Sequence, residues 1–400
     1  PKTFLVIYLF GFTGGLGFIH PDRLLPLSFE NIIFILNLAT VLPIIFRLGF
    51  KFIFSEMIVR VFLIFFLFGI FYPILNGWSN IFSSITDGKG FLSILMVPYL
   101  LSHNAITPKF LKTCIFGIST YLGLTCFFYL LFNIYPNGYE PISSLYNQIA
   151  TGEGIHIRYS TIILVAVLIA YIDLREKYSQ IRLVSFLIQY AFLFIQPHNS
   201  VLLASIVVLG LHFLYNSRLT LKQSAFDLAI IFSVFMVLIL FIFSPVIRMG
   251  VLSIFYQIFY LQGSIGSRIT TNAFRWDLFS ERPILGYGFI DETSALGAPV
   301  KSAAISRFTQ TFGVIDAGII DILIRFGLIG FLAWVVALFL AIRGSGRDFL
   351  IFKLLLAAYF LISFTWSVFT YSFGILVMSI VFAFCVKNQK LKLKKELNNL

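Results

Sequence analysis

Apolar runs long enough to cross a bilayer follow one another along most of this chain, and they constrain its fold more than any other feature. A transmembrane helix needs about 20 such residues. Hydrophobic residues make up 59% of the 400-residue chain and charged residues 12%, with a mean hydropathy of +0.95. Soluble proteins carry about twice this share of charge. The composition excludes a water-soluble enzyme, a disordered chain and a fibrous protein, and it predicts an all-α polytopic membrane protein.

The apolar runs predict about twelve transmembrane helices, separated by three appreciable loops at 76–90, 136–156 and 248–316. The predicted spans are 4–20, 28–46, 57–75, 91–107, 110–135, 157–174, 183–197, 200–215, 225–247, 317–342, 349–369 and 371–386. This arrangement divides the chain into four parts. They are transmembrane helices 1–9 (1–247), a large partly helical outer loop (248–316), helices 10–12 (317–386) and a basic cytoplasmic tail (387–400).

The basic residues orient these spans, because cytoplasmic loops carry an excess of Lys and Arg. With both termini in the cytoplasm, 19 of the 29 basic residues lie inside, which gives net charges of +13 inside and −1 outside. Topology therefore accounts for most of the +12 net charge, so no nucleic-acid partner is expected. Eight of the ten outer basic residues are Arg, whose planar fork can hold a phosphate with two hydrogen bonds. The outer face is therefore a candidate surface for an anionic ligand, although ion pairing with outer acids and snorkelling are alternatives.

The large outer loop contains a predicted short helix followed by a tight turn. The helix runs over 268–281, and Arg268 and Arg275 lie two turns apart on it. It should end at Arg282, because the residue before a proline disfavours the α conformation. In the following turn, Gly286 and Gly288 permit close approach of the backbone.

The next span carries charged residues near its outer end. Asp321 and Arg325 are four residues apart, so they share a helix face and can pair with each other. Such charges are costly in a membrane and commonly face a polar cavity. The pair is thus either structural or part of a site, while Asp316 suits the N-cap of this helix.

Two segments resemble the O-antigen polymerases and the related O-antigen ligases. In "RWDLFSERPILGYGF", an outer-loop Arg275 is followed by ten residues and Gly286, with a Pro-x-x-Gly-x-Gly turn. In "DAGIIDILIRFGLIG", a polar residue precedes aliphatic residues and Gly-x-x-Gly as the chain enters the membrane. The late position of the large outer loop is also similar. The stretch 301–321 has no His, which favours the polymerase over the ligase.

The resemblance implies a GT-C-like, metal-independent membrane glycosyltransferase without a cofactor, in the bacterial inner membrane. Such an enzyme polymerises polyprenyl-diphosphate-linked oligosaccharide repeat units of O-antigen or a related surface polysaccharide on the periplasmic face. The lipid-linked oligosaccharide is both donor and acceptor. The other partners are the lipid bilayer and a chain-length regulator protein.

This chemistry needs donors for the diphosphate leaving group and a base for the attacking hydroxyl. The candidate diphosphate-binding residues are Arg275, Arg268, Arg325 and Arg158. The candidate catalytic bases are Asp316, Asp321, His198 and Glu281. Pro283, Gly286 and Gly288 form the loop motif, and no metal site is expected.

Three other functions are compatible with the sequence. The first is an O-antigen ligase that transfers glycan to lipid A core. The second is a flippase or transporter for lipid-linked oligosaccharide, although such proteins tend to have internal repeats. The third is a non-catalytic subunit for polysaccharide export.

Overall fold

The computed structural model describes residues 1–12, 29–132, 160–195, 199–216, 276, 278–290, 318–343, 349–364 and 368–398. Within these ranges the chain is mostly helical and has no strand. It divides into two compact units, one comprising 1–114 with 271–400 and the other comprising 115–270.

Besides a short helical turn at 278–281, the described residues of the first unit form one 3₁₀ helix and ten α-helices, one of which continues into the second unit. The first six α-helices are α1 (Lys2–Phe12), α2 (Phe29–Leu48), α3 (Phe50–Ile53), α4 (Met57–Leu75), α5 (Ile81–Gly88) and α6 (Met96–Ser102). The 3₁₀ helix is Lys89–Leu95. The remaining four are the start of α7 (Pro108–Phe132), then α11 (Gly318–Arg343), α12 (Leu350–Ile362) and α13 (Ser372–Asn398).

Helix α13 forms the centre of this unit. It packs against the 3₁₀ helix, α6 and α12, and most of its apolar stretch from Phe373 to Val386 is buried. Helix α4 packs against α5, the 3₁₀ helix and α11. The contacts of α4 with both α5 and α11 place the segment after α4 beside the start of α11.

The second unit contains the rest of α7 with α8 (Ser160–Glu176), α9 (Gln180–Ile195) and α10 (Asn199–Asn216). Helix α8 packs along α9 and also contacts α10. Polar contacts join α7 to α9, since Ser119 Oγ donates to Gln189 Oε1 at 2.5 Å. Gln189 Nε2 in turn donates to Thr120 Oγ1 at 3.2 Å. These two hydrogen bonds link the buried side chains of Ser119 and Gln189 to each other and to Thr120.

Three helices in the described part of the chain are long and apolar enough to cross a membrane: Met57–Leu75, Gly318–Leu340 and Ser372–Lys394. They correspond to the predicted spans 57–75, 317–342 and 371–386. Several other predicted spans also coincide with helices, but the total of twelve stays a prediction. The run 225–247 lies outside the described residues.

The structure differs from the sequence prediction at two segments near α5. The predicted span 91–107 is not one continuous helix, because a 3₁₀ helix precedes α6 and Pro98 lies in the first turn of α6. Proline lacks an N–H and is best accommodated at the start of a helix. The predicted loop 76–90 contains α5, whose first turn is capped by Asn80, with Oδ1 accepting from the Ser83 N–H at 2.8 Å.

Candidate functional site

Helix α11 is interrupted at Gly327, inside the stretch that is long and apolar enough to cross a membrane. Gly327 has φ 63° and ψ −170°, a conformation that other residues rarely adopt. An interrupted helix leaves C=O groups unpaired before the break and N–H groups unpaired after it. In a membrane such groups must find partners within the protein.

Residues 283–289, here named the strap, supply partners for the C=O groups before this break. The Tyr287 N–H donates to the Ile324 C=O at 2.8 Å. The Gly288 N–H donates to the Arg325 C=O at 2.7 Å. The strap backbone therefore occupies positions that the next helical turn would otherwise fill.

The strap also supplies acceptors for the N–H groups after the break. The Leu328 N–H donates to the Pro283 C=O at 2.7 Å, and the Ile329 N–H donates to the Ile284 C=O at 3.2 Å. Four backbone hydrogen bonds thus join the strap to the two halves of α11.

A proline in α4 creates a further acceptor for the strap. Pro73 lies inside α4 and has no N–H to donate to the Gly69 C=O four residues earlier. The Phe289 N–H donates to that C=O instead, at 2.7 Å. The Phe289 ring is fully buried, and its own C=O accepts from Ser84 Oγ at 3.0 Å. The end of the strap is therefore fixed between α4 and α5.

The two glycines of the predicted turn are required by this packing. Gly286 and Gly288 have φ values of 68° and 76°. A Cβ on Gly286 would lie 2.7 Å from the backbone carbon of Arg325, and one on Gly288 would lie 2.9 Å from the Gly69 oxygen. Real Cβ atoms do not approach so closely, so the prediction that these glycines permit close backbone approach is confirmed.

Under the strap, Arg325 is buried between two aspartates. Its Nε donates to Asp321 Oδ1 at 2.6 Å, which confirms the predicted pairing on one helix face. Its two Nη groups donate to Asp87 of α5, with Nη2 3.1 Å from Oδ1. Asp321 also accepts from Thr370 Oγ1. These four side chains are named the buried cluster.

The buried cluster joins three segments that are far apart in the chain: α5, α11 and the turn just before α13. A guanidinium held by two carboxylates keeps its hydrogen bonds satisfied in a medium of low dielectric constant. The sequence prediction missed Asp87 and Thr370. Asp87 lies in the predicted loop 76–90, and an acidic residue in a loop normally faces solvent. Nothing in the sequence around Thr370 distinguishes it from other threonines in apolar segments.

At the exposed end of the strap, polar and aromatic side chains form a second group. The Tyr287 hydroxyl donates to Glu281 Oε2 at 2.7 Å. Burial raises the pKa of Tyr287, and the hydrogen bond and charge of Glu281 raise it further, while Arg282 opposes them. The Arg282 guanidinium lies over the Trp78 ring, 3.9 Å from its centroid. Residues 278–281 are helical and Arg282 is not, as predicted from the following proline.

The structure brings some predicted site residues together and leaves others undescribed. Asp321 and Arg325 lie directly beneath the strap that carries Gly286 and Gly288. Glu281 is exposed and joins the same region through Tyr287. Five candidates lie outside the described residues: Arg275, Arg268, Arg158, His198 and Asp316.

Comparison of the sequence with known proteins does not assign the chain to a family. No protein-family model and no curated protein matches the chain.

Proposed function

We propose that the chain is a membrane glycosyltransferase of the O-antigen polymerase type. It would transfer a growing glycan from its polyprenyl diphosphate to a new lipid-linked repeat unit, on the periplasmic face of the inner membrane. The observation that carries the proposal is the joining of the two resembling segments into one unit. The strap belongs to the first of these segments, and α11 begins in the second. The strap pairs the backbone groups of α11 that are left open at the break beside Gly327.

In this proposal, Arg275 binds the departing diphosphate, while Arg268 and Arg158 stay candidate donors from the sequence. The helix predicted over 268–281 includes Arg268 and Arg275, and it leads directly into the strap in the sequence. Fixed guanidinium groups would stabilise the charge that develops as the glycosidic bond breaks. Arg325 contributes differently, because it is 5% exposed and its guanidinium already contacts Asp87 and Asp321. It is proposed as a positioning residue for the strap.

Among the two described candidates for the base, accessibility favours Glu281. A base must come within hydrogen-bond reach of the hydroxyl that it deprotonates. Glu281 is exposed and accepts one hydrogen bond from Tyr287. Asp321 is 2% exposed and accepts from both Arg325 and Thr370. His198 and Asp316 stay candidates from the sequence.

A deletion strain complemented with variants tests the function. The strain should carry lipid A core capped with a single repeat unit, and the wild-type chain should restore a polymer ladder on gels. Uncapped core, with repeat units accumulating on the lipid carrier, would contradict a polymerase and indicate a ligase or a flippase.

Arg275 offers the sharpest test of the mechanism. Arg275→Ala should shorten or abolish the ladder, because losing one such donor typically lowers the rate by about 10²–10³. Arg275→Lys keeps the charge but not the planar fork, so it should also be severely impaired. Arg60→Ala is the matched control, since Arg60 is exposed at the opposite end of α4. Normal ladders from Arg275→Ala at normal protein level would contradict this placement of the site.

A further inference from the structure

Arg282 is an exposed cation held in a fixed position. Its guanidinium carbon lies 3.9 Å from the Trp78 centroid and 5.5 Å from the Tyr287 centroid. The neighbouring Glu281 does not pair with it but accepts from Tyr287. Among the described residues, no carboxylate forms a salt bridge with Arg282.

The residue that carries the ring beneath this guanidinium is held in place by its neighbours. The backbone N–H of Trp78 donates to the Pro73 C=O at 2.9 Å, just after the end of α4. The indole also contacts Tyr72 edge to face, with centroids 5.5 Å apart, and Tyr287 at 5.9 Å. Stacking uses the flat face of a guanidinium and leaves N–H groups around its edge for an anion.

An exposed apolar surface begins immediately beside Arg282. Pro283 and Ile284 follow it and accept backbone hydrogen bonds from Leu328 and Ile329. The side chains of Ile284, Leu328 and Ile329 are 62%, 49% and 55% exposed. Leu328 and Ile329 belong to a helix that is long and apolar enough to span a membrane, so this surface suits hydrocarbon chains. The chain thus presents a cation at the edge of a lipid-facing surface.

We propose that Arg282, stacked on Trp78, binds the phosphate headgroup of a polyprenyl lipid whose chain lies over Ile284, Leu328 and Ile329. The naming of a polyprenyl lipid rests on the proposed function. The pairing of an anionic headgroup with a hydrocarbon chain follows from the arrangement of the cation and the apolar surface. Arg282 would hold the lipid-linked substrate beside the first residues of the strap.

Binding to the purified full-length protein in detergent tests this proposal. The probe is a medium-chain polyprenyl diphosphate without sugar, titrated by calorimetry. Arg282→Ala should weaken binding about 10-fold or more, since hydrogen bonds to charged groups contribute more than neutral ones. Arg282→Lys should recover only part of the affinity. Arg60→Ala, an exposed arginine at the other end of α4, should bind like the wild type.

Competition experiments identify the source of the phosphate. Inorganic diphosphate should not displace the probe at matched concentration, because it lacks a chain. Phosphatidylglycerol should displace it only weakly. Equal displacement by either compound would overturn the assignment to a polyprenyl lipid, as would wild-type affinity in Arg282→Ala.

The binding assay also separates this proposal from the proposed function. If the deletion strain shows no polymerase phenotype but Arg282→Ala loses the probe, the lipid site stands and the polymerase proposal fails. If the wild-type chain restores the ladder and Arg282→Ala binds the probe normally, the lipid site fails alone.

Discussion

At the residue scale, the most consequential feature is the charge balance around Arg325. One guanidinium faces the carboxylates of Asp87 and Asp321, and all three side chains are nearly inaccessible. Removing one partner from such a group leaves an uncompensated buried charge, which costs far more than the intact group contributes. The side chain of Arg325 is therefore needed to keep the two aspartates together beneath the strap.

Arg325→Leu should accordingly destabilise the protein by about 3–5 kcal/mol. The measurement is the thermal unfolding midpoint of the purified protein in detergent. Adding Asp87→Asn and Asp321→Asn to Arg325→Leu should recover much of the loss, because no buried charge then lacks a partner. An unchanged midpoint in the single variant would show that the carboxylates do not depend on Arg325.

At the element scale, α4 and α11 are each completed by a segment from elsewhere in the chain. In α4 the missing N–H is that of Pro73, and in α11 the ladder of hydrogen bonds stops at Gly327. The backbone N–H and C=O groups of the strap form the hydrogen bonds that are missing in both helices. Its sequence is thus constrained by where its N–H and C=O groups must lie, as well as by its side chains.

Gly327→Ala should separate the strap from α11. Its Cβ would lie 2.5 Å from the Leu285 nitrogen, and its φ of 63° is unfavourable for alanine. The expected cost is about 1–3 kcal/mol, seen as a lower unfolding midpoint. Gly210→Ala is the control, because Gly210 lies in helix α10 with open space around it. There alanine should stabilise slightly, and an equal loss in both variants would argue against a specific role for Gly327.

Pro73→Ala should loosen only the end of the strap. The new N–H at position 73 would compete with that of Phe289 for the Gly69 C=O. Hydrogen exchange at the Phe289 amide should therefore quicken. Pro98→Ala, in the first turn of α6, should leave that exchange unchanged. If Phe289 exchanges at the wild-type rate in Pro73→Ala, the C=O accepts both donors and the proline is not needed.

At the scale of the whole molecule, the contacts constrain the topology. The strap, α5, the C-terminal part of α4 and the N-terminal part of α11 lie together. The described part of the second predicted loop, 278–290, therefore lies at the same end of this unit as 76–90, in agreement with the predicted placement of both loops on one side. That this side is the periplasm stays a prediction from the charge distribution.

A membrane-impermeant maleimide should thus label Ser264→Cys in intact spheroplasts. The chain used should have its three native cysteines replaced, so that the label reports one position. Ser55→Cys, between α3 and α4 at the opposite end, should react only after the membrane is opened. The reverse pattern would invert the topology and remove the proposed site from the periplasm.

Much of the helical pattern follows from the sequence, because apolar length is a local property. The bounds of Met57–Leu75 agree with the predicted span, and the i, i+4 spacing of Asp321 and Arg325 was sufficient to pair them. The contribution of Asp87 was not predictable in this way. It lies 238 residues from Arg325, and the packing of both α5 and α11 against α4 brings them together.

The proline in α4 also has a consequence for the order of assembly during synthesis. Gly69 is synthesised early, but Phe289, whose N–H donates to the Gly69 C=O, is synthesised 220 residues later. The strap's remaining partners, from Ile324 to Ile329, follow later still. The bonds between the strap and α11 can therefore form only after α11 has been synthesised, whereas the Gly69 C=O lacks its donor only until Phe289 has been synthesised.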